Sequence, residues 1–215
     1  MVQLLGPQDR LLKSVERQYP GVRVLVRGNE VTLTGPERDV ARARALVDEL
    51  VGMVKRGQDI GQGDIPTSAR SLQGFVHEVL EATGARKVSM VGHSQGGMMP
   101  RYYLKFLGGT SKVDDLVGLA PSNHGTTNPG ALVAGATFCP ACDQQRAGSP
   151  FLTNLNAGDE TPGDVSYTQI ETRYDEVVTP YTNGKLSGSN VTNITVQDGC
   201  EIDLGEHLAI SYDQR

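Results

Sequence analysis

KVSMVGHSQGGMMPRYYLKFL, residues 87–107, decides how this chain is read. Lys87-Val88-Ser89-Met90-Val91-Gly92 reads as a strand, and residues 98–107, MMPRYYLKFL, read as a helix. His93-Ser94-Gln95-Gly96-Gly97 follows the strand at once. Gly92, Ser94 and Gly96 therefore make G-x-S-x-G at a strand-to-helix turn, which forces the serine into a strained conformation at the tip. Gly92 and Gly96 are expected to leave space where the chain passes close to itself. The helix start would set the Gln95 N–H, and a partial positive charge, beside a developing oxyanion. The competing reading is a serine that merely caps the helix. It is set aside because strand, turn and helix signals all fall where the motif needs them.

A serine hydroxyl needs a base, and the base needs an orienting carboxylate. Residues 114–119, 165–173 and 190–197 read as further strands, which with the first make four in a mostly parallel α/β sheet. Asp175 follows the third strand and His207 the fourth, beyond the C-terminal strand ends where sites of open α/β sheets lie. The order Ser94, Asp175, His207 is that of a serine triad on such a sheet. Asp198 and Asp203 are rivals for the acid, and His124 is a rival base that precedes any candidate acid. His124 is read as a loop histidine bonded to backbone. His93 should flank the site, and His77 should face solvent on a helix capped by Asp64 or Thr67. Pro66 helps start that helix, Thr83-Gly84 ends it, and its expected buried stripe is Leu72, Phe75, Val76, Val79 and Leu80. The loop-rich stretch 120–165, with Leu132, Val133, Phe138 and Phe151, is expected to cover the acyl side like a lid.

The rest of the 215 residues divides unevenly. Residues 1–60 carry ten Lys/Arg and eight Asp/Glu, the remainder ten and seventeen, and all three cysteines and all four histidines lie in the second part. The Gly-rich run 56–64 marks a boundary, giving segments 1–56 and 64–215 joined by 57–63. In the first segment residues 2–5 read as a strand and 8–18 as a helix. Val22–Val26 and Val31–Leu33 read as strands about a Gly28-Asn29 hairpin turn, and 37–55 as a helix. This β-α-β-β-α order fits a small α+β domain near the lower size limit for independent stability. Arg23, Arg27, Arg38, Arg42 and Arg44 invite a nucleic-acid reading. Glu30, Glu37 and Asp39 dilute the patch, and a solvated charged face is preferred. No apolar run is long enough for a transmembrane helix, and MVQLLGPQDR has no basic region followed by an apolar core, so no signal peptide is expected.

Two resemblances sharpen this. LLGPQDRLLKSVERQYPGVRVLVRGNEVTLTGP, residues 4–36, carries a resemblance, over residues 2–56, to the N-terminal KH-like domain of PhoH-type ATPases. No G-x-x-x-x-G-K-[ST] phosphate loop follows, so the ATPase is not expected, and no G-x-x-G clamp for nucleic acid lies between two helices. The second resemblance is carried by ARKVSMVGHSQGGMMPRYYLKFLGG, VDDLVGLAPSNHGTT, RAGSPFLTNLNAGDETPGDVSYTQIETRYDEVVTPY and VQDGCEIDLGEHLAI. Across residues 63–213 it is similar to the secreted actinobacterial lipases and esterases of the class 2 lipase family. That likeness implies an α/β-hydrolase acting on esters or lipids, with Ser94 as nucleophile, Asp175 as triad acid, His207 as general base and the Gln95 backbone as one oxyanion donor. Family members open with further strands and a V-x-L-V-H-G-type loop that supplies a second oxyanion N–H. No such His-Gly precedes Ser94 here, so the hydrolase part reads as N-terminally truncated, its elbow strand an open edge that invites dimerisation. The chain thus reads as a fusion of two unrelated fragments.

Cys139-Pro140-Ala141-Cys142 is C-x-x-C in a loop-like context. Zinc would need a second pair, so no metal is expected, nor any cofactor. A local disulfide suits the likeness to secreted enzymes and leaves Cys200 over. The sequons at Asn190 and Asn193 fall in a predicted strand and carry little weight.

Overall fold

The computed structural model describes residues 19–27, 30–41, 43–44, 63–128 and 139–212. The chain separates into two compact units, Met1–Gly63 with Ala136–Cys139, and Asp64–Gly135 with Pro140–Arg215.

In the smaller unit the alternating valines form a hairpin. Strand β1, Arg23–Arg27, pairs antiparallel with β2, Glu30–Thr34, from Arg23↔Thr34 to Arg27↔Glu30. Val22 and Ala43 are buried, and Tyr19, Val24, Val31, Leu33 and Val40 pack against them. Residues 37–41 and 43–44 are helical. The expected strand 2–5, helix 8–18, turn Gly28-Asn29, the rest of helix 37–55 and most of junction 57–63 lie outside the described residues.

The larger unit is built on a parallel sheet. Helix α1, Ile65–Thr83, starts at Asp64, whose side chain accepts the Thr67 N–H. It stops at Gly84, which takes the left-handed conformation (φ 70°) that glycine adopts without steric cost. Then come β3 (Val88–His93), α2 (Gln95–Met98), α3 (Pro100–Phe106), β4 (Val113–Leu119), α4 (Pro140–Gln144) and α5 (Pro150–Asn156). Strand β5 (Ser166–Glu171), β6 (Val191–Thr195) and α6 (Val196–Gly199) complete the unit. The sheet order is β3-β4-β5-β6, every pairing parallel. Parallel neighbours need crossovers, which is why helices and long loops separate the strands. The core joins Ala69 and Val76 of α1 to Tyr103 and Leu104 of α3 and to Leu116 and Tyr167 of the sheet.

Several expectations are corrected. Phe75 is 62% exposed, not part of the buried stripe. Ile65, Ala69 and Val76 are the residues α1 buries, and Phe75 instead lines a groove of about 340 Å³ beside Val79, Val91 and Met99. The helix after the turn begins at Gln95, not at residue 98, and is divided at Pro100, which has no N–H for the ladder. The strand expected to run to residue 197 ends at Thr195, because Cys200 N–H bonds Val196 O and winds a helical turn. The C-x-x-C does not sit in an open loop, since Pro140, Ala141 and Cys142 lie in α4. Cys139 and Cys142 are disulfide-bonded and Cys200 is free. Among the described residues no helix is long and apolar enough to cross a membrane.

Candidate active site

The turn between β3 and α2 is as tight as the spacing requires. Ser94 has φ 56° and ψ −122°, a conformation costly for a residue with a side chain. It occupies the N-cap position, yet its side chain makes no capping bond. The backbone holds it instead: Ser94 N–H donates to Leu119 O of β4 at 2.8 Å, and Gly97 N–H donates back to Ser94 O at 3.0 Å. Gly92 is obligatory, because a Cβ there would lie 2.0 Å from Gly96 O. The expectation for Gly96 is corrected, since a Cβ there would meet nothing within 4 Å. The crowded second glycine is Gly97, wedged against Pro121 Cβ and Gly118 Cα.

Asp175 and His207 come together as the sequence order suggests. His207 Nδ1 lies 2.8 Å from Asp175 Oδ2, and both residues are buried. The other carboxylate oxygen, Oδ1, accepts the N–H groups of Val177 and Val178 at 2.9 and 2.7 Å. Asp175 is thereby fixed on two sides. The His207 loop is turned by Glu206, whose carboxylate accepts the Leu208 and Ala209 N–H groups. The Leu208 N–H is the main cause that holds Glu206 below the usual carboxylate range. His93 links this pair to the elbow. Its ring lies 4.8 Å from the His207 ring, and its Nε2–H donates to His207 O at 2.7 Å.

The rivals go elsewhere. Asp198 pairs with Arg173 on the surface, and Asp203 is buried with Oδ1 accepting Gly205 N–H. His77 is exposed beside Glu81. His124 does not simply bond backbone through its ring: Nε2 contacts Glu160 Oε2 at 3.1 Å. Burial raises the Glu160 carboxyl, but the His124 and Ser187 hydrogen bonds and the Arg101 charge outweigh it and hold the group below its ordinary value.

Three features were missed from sequence. Arg101 is 1% exposed and anchors Asn123 O and Oδ1, Asn156 Oδ1 and Glu160 O, with burial bringing its guanidinium down to about 10. The Gln95 side chain accepts from Gln145 Nε2 at 2.8 Å, and Gln145 Oε1 accepts from Ser122 Oγ. Glu171 is 1% exposed, and neither carboxylate oxygen has a well-aligned partner. Burial pushes its carboxyl up to about 7, against a smaller opposing effect of Lys185. Polar residues on predicted strands and helices gave no signal of these long-range partners. The sequon side chains are also engaged: Asn190 bonds Thr161 O and Val165 O, and Asn193 bonds Leu186 N and O.

A parallel sheet that carries a serine at positive φ between β3 and α2, with an aspartate and a histidine beyond β5 and β6, is an α/β-hydrolase fold. The model of the family Lipase (class 2) matches residues 67–213, and the chain belongs to that family. Lipase B of Pseudozyma antarctica is 36% identical over 124 residues, which are 55% of this chain and 36% of that protein. The crystal structure of Aspergillus fumigatus lipase B shares the fold at TM-score 0.62 and 23% identity, over 69% of this chain and 38% of that one. A PhoH-like protein of Mycobacterium bovis is 37% identical over 78 residues, 36% of this chain and 22% of that protein. The chain thus spans little more than a third of the length of these two lipases.

Proposed function

We propose that the larger unit is a serine ester hydrolase of lipase or esterase type. Ser94 Oγ attacks the acyl carbon, and its proton passes to His207 Nε2, the ring nitrogen left over once Nδ1 faces Asp175. Asp175 fixes the imidazole and stabilises its charged form. The tetrahedral oxyanion takes the Gln95 N–H, a first-turn donor with no partner within its own helix. Collapse returns the His207 proton to the leaving alcohol and leaves an acyl-Ser94, which water attacks by the same relay in reverse.

One observation carries this reading: a serine held at φ 56° on a strand-to-helix turn whose neighbour His93 packs on a buried His207–Asp175 pair. An apolar acyl substrate is supported by the exposed Tyr174, Val177 and Leu208, which adjoin the acid and the base in sequence. Hydrolysis of a short-chain p-nitrophenyl ester tests it. Turnover that vanishes in Ser94→Ala is expected, and turnover unchanged in that variant would sink the triad assignment. The PhoH-like likeness of the front favours a second reading, a KH-like nucleic-acid module attached to an inactive hydrolase remnant. RNA retention that weakens with salt and disappears on deleting residues 1–56, without any ester turnover, would favour that one.

A further inference from the structure

Gln197 belongs to none of the groups assigned above, yet it is 2% exposed and lies in α6, between the end of β6 and the loop that delivers His207. Its amide is used at both ends. Oε1 accepts Arg173 N–H at 2.8 Å, two residues before Asp175. Nε2 donates to Thr172 Oγ1 at 2.9 Å and to Asp203 O at 3.2 Å, the latter four residues before His207. Thr172, itself 0% exposed, extends the chain, its hydroxyl donating to Gly205 O. Gly205 N–H in turn bonds Asp203 Oδ1, and Tyr174 and Glu206 meet as an isolated parallel bridge.

The bonds of one glutamine therefore run to both loops of the acid–base pair. The acid loop is gripped at residues 172 and 173, the base loop at residue 203 directly and at 205 through Thr172. Both loops are irregular, so no helix or sheet ladder fixes their spacing. That spacing sets the Asp175–His207 contact, and a misplacement of ~1 Å there is worth ~100-fold in rate.

The geometry points to Gln197, acting with Thr172, as a positioning residue that sets the distance and angle between Asp175 and His207. This rests on the serine-hydrolase reading and deepens it. Neither residue touches substrate; each acts through the loops it joins. A core glutamine that only satisfies local backbone groups would affect stability and leave the chemistry alone.

The test uses the full chain and the rate at which a fluorophosphonate labels Ser94. That reaction needs the base but no ester turnover. Gln197→Leu is expected to stay folded and label ~10–100-fold more slowly. Thr172→Val removes only the relaying hydroxyl and serves if Gln197→Leu does not fold. It should label more slowly as well, and Thr172→Ser, which keeps the hydroxyl, should restore wild-type labelling. A labelling rate within ~2-fold of wild type in folded Gln197→Leu or Thr172→Val would overturn the role. Thr172→Ser as slow as Thr172→Val would also overturn it. If the wild-type chain itself leaves Ser94 unlabelled, it is the hydrolase reading that fails.

Discussion

At the scale of single residues, a buried glutamate lies close to the proposed acid–base pair. Glu171 ends β5, four positions before Asp175, with its carboxyl pushed up to about 7 by burial. The folded chain therefore holds the Glu171 proton more tightly than the unfolded chain does. Its stabilising contribution is complete below about pH 4.5 and is lost as pH rises through about 7, roughly 3 kcal/mol in all. Glu171→Gln keeps the shape and removes the titration. Urea unfolding should find that variant more stable than the wild type at pH 8, with the gain shrinking toward pH 4.5. A difference independent of pH would mean that the glutamate is not being neutralised by burial. The chain order Ser94, Asp175, His207 and their places after β3, β5 and β6 were legible in the sequence. Gln197, Glu171 and Arg101 were not, because what defines them is burial and partners that in the case of Arg101 lie 22 to 59 positions away.

At the scale of elements, α3 and the loops around it are tied by one buried cation. Arg101 reaches Asn123 after β4, Asn156 at the end of α5, and Glu160 beyond it, and Lys105 one turn on donates to Leu155 O, Ala157 O and Asp159 O. These bonds stand in for a regular ladder along residues 155–160. Arg101→Met leaves Glu160 half-buried without its cation and Asn123 and Asn156 short of a donor. It should cost roughly 3–5 kcal/mol in urea unfolding, and a cost below about 1 kcal/mol would show that water already serves these groups. Strand existence and order were readable from β-branched runs between turn residues. Their ends were not: the strand expected to reach residue 197 stops at Thr195 because the Cys200 N–H bonds Val196 O, a hydrogen bond that residue type does not encode. The Phe75 side of α1 misled for a related reason. Helical periodicity says that a face is apolar, and whether anything covers it is decided by the sheet.

At the scale of the whole chain, the edges of the parallel sheet decide what it presents to other molecules. Strands β3 and β6 end it among the described residues, and Val91 on β3 is 71% exposed next to the groove that Phe75 lines. An unpaired, apolar edge favours pairing with another strand, and edge lysines are the usual defence against it. Sedimentation velocity should therefore show self-association at high concentration that Val91→Lys suppresses. A chain that stays monomeric throughout would mean that this edge is protected. The front and back of the sequence differ in charge and in the placement of cysteine and histidine. How the two units together act could not be read there, because composition carries no information on docking.

Every step proposed above requires Ser94 to be an activated nucleophile. Mass spectrometry of the chain after reaction with a fluorophosphonate tests it directly, since that probe needs the strained serine and its histidine but not a productive ester turnover. A single adduct on the peptide containing Ser94, absent from Ser94→Ala and strongly slowed in His207→Ala, is the expected result. No adduct on Ser94 in the folded wild-type chain, or an adduct whose rate ignores His207, would contradict it.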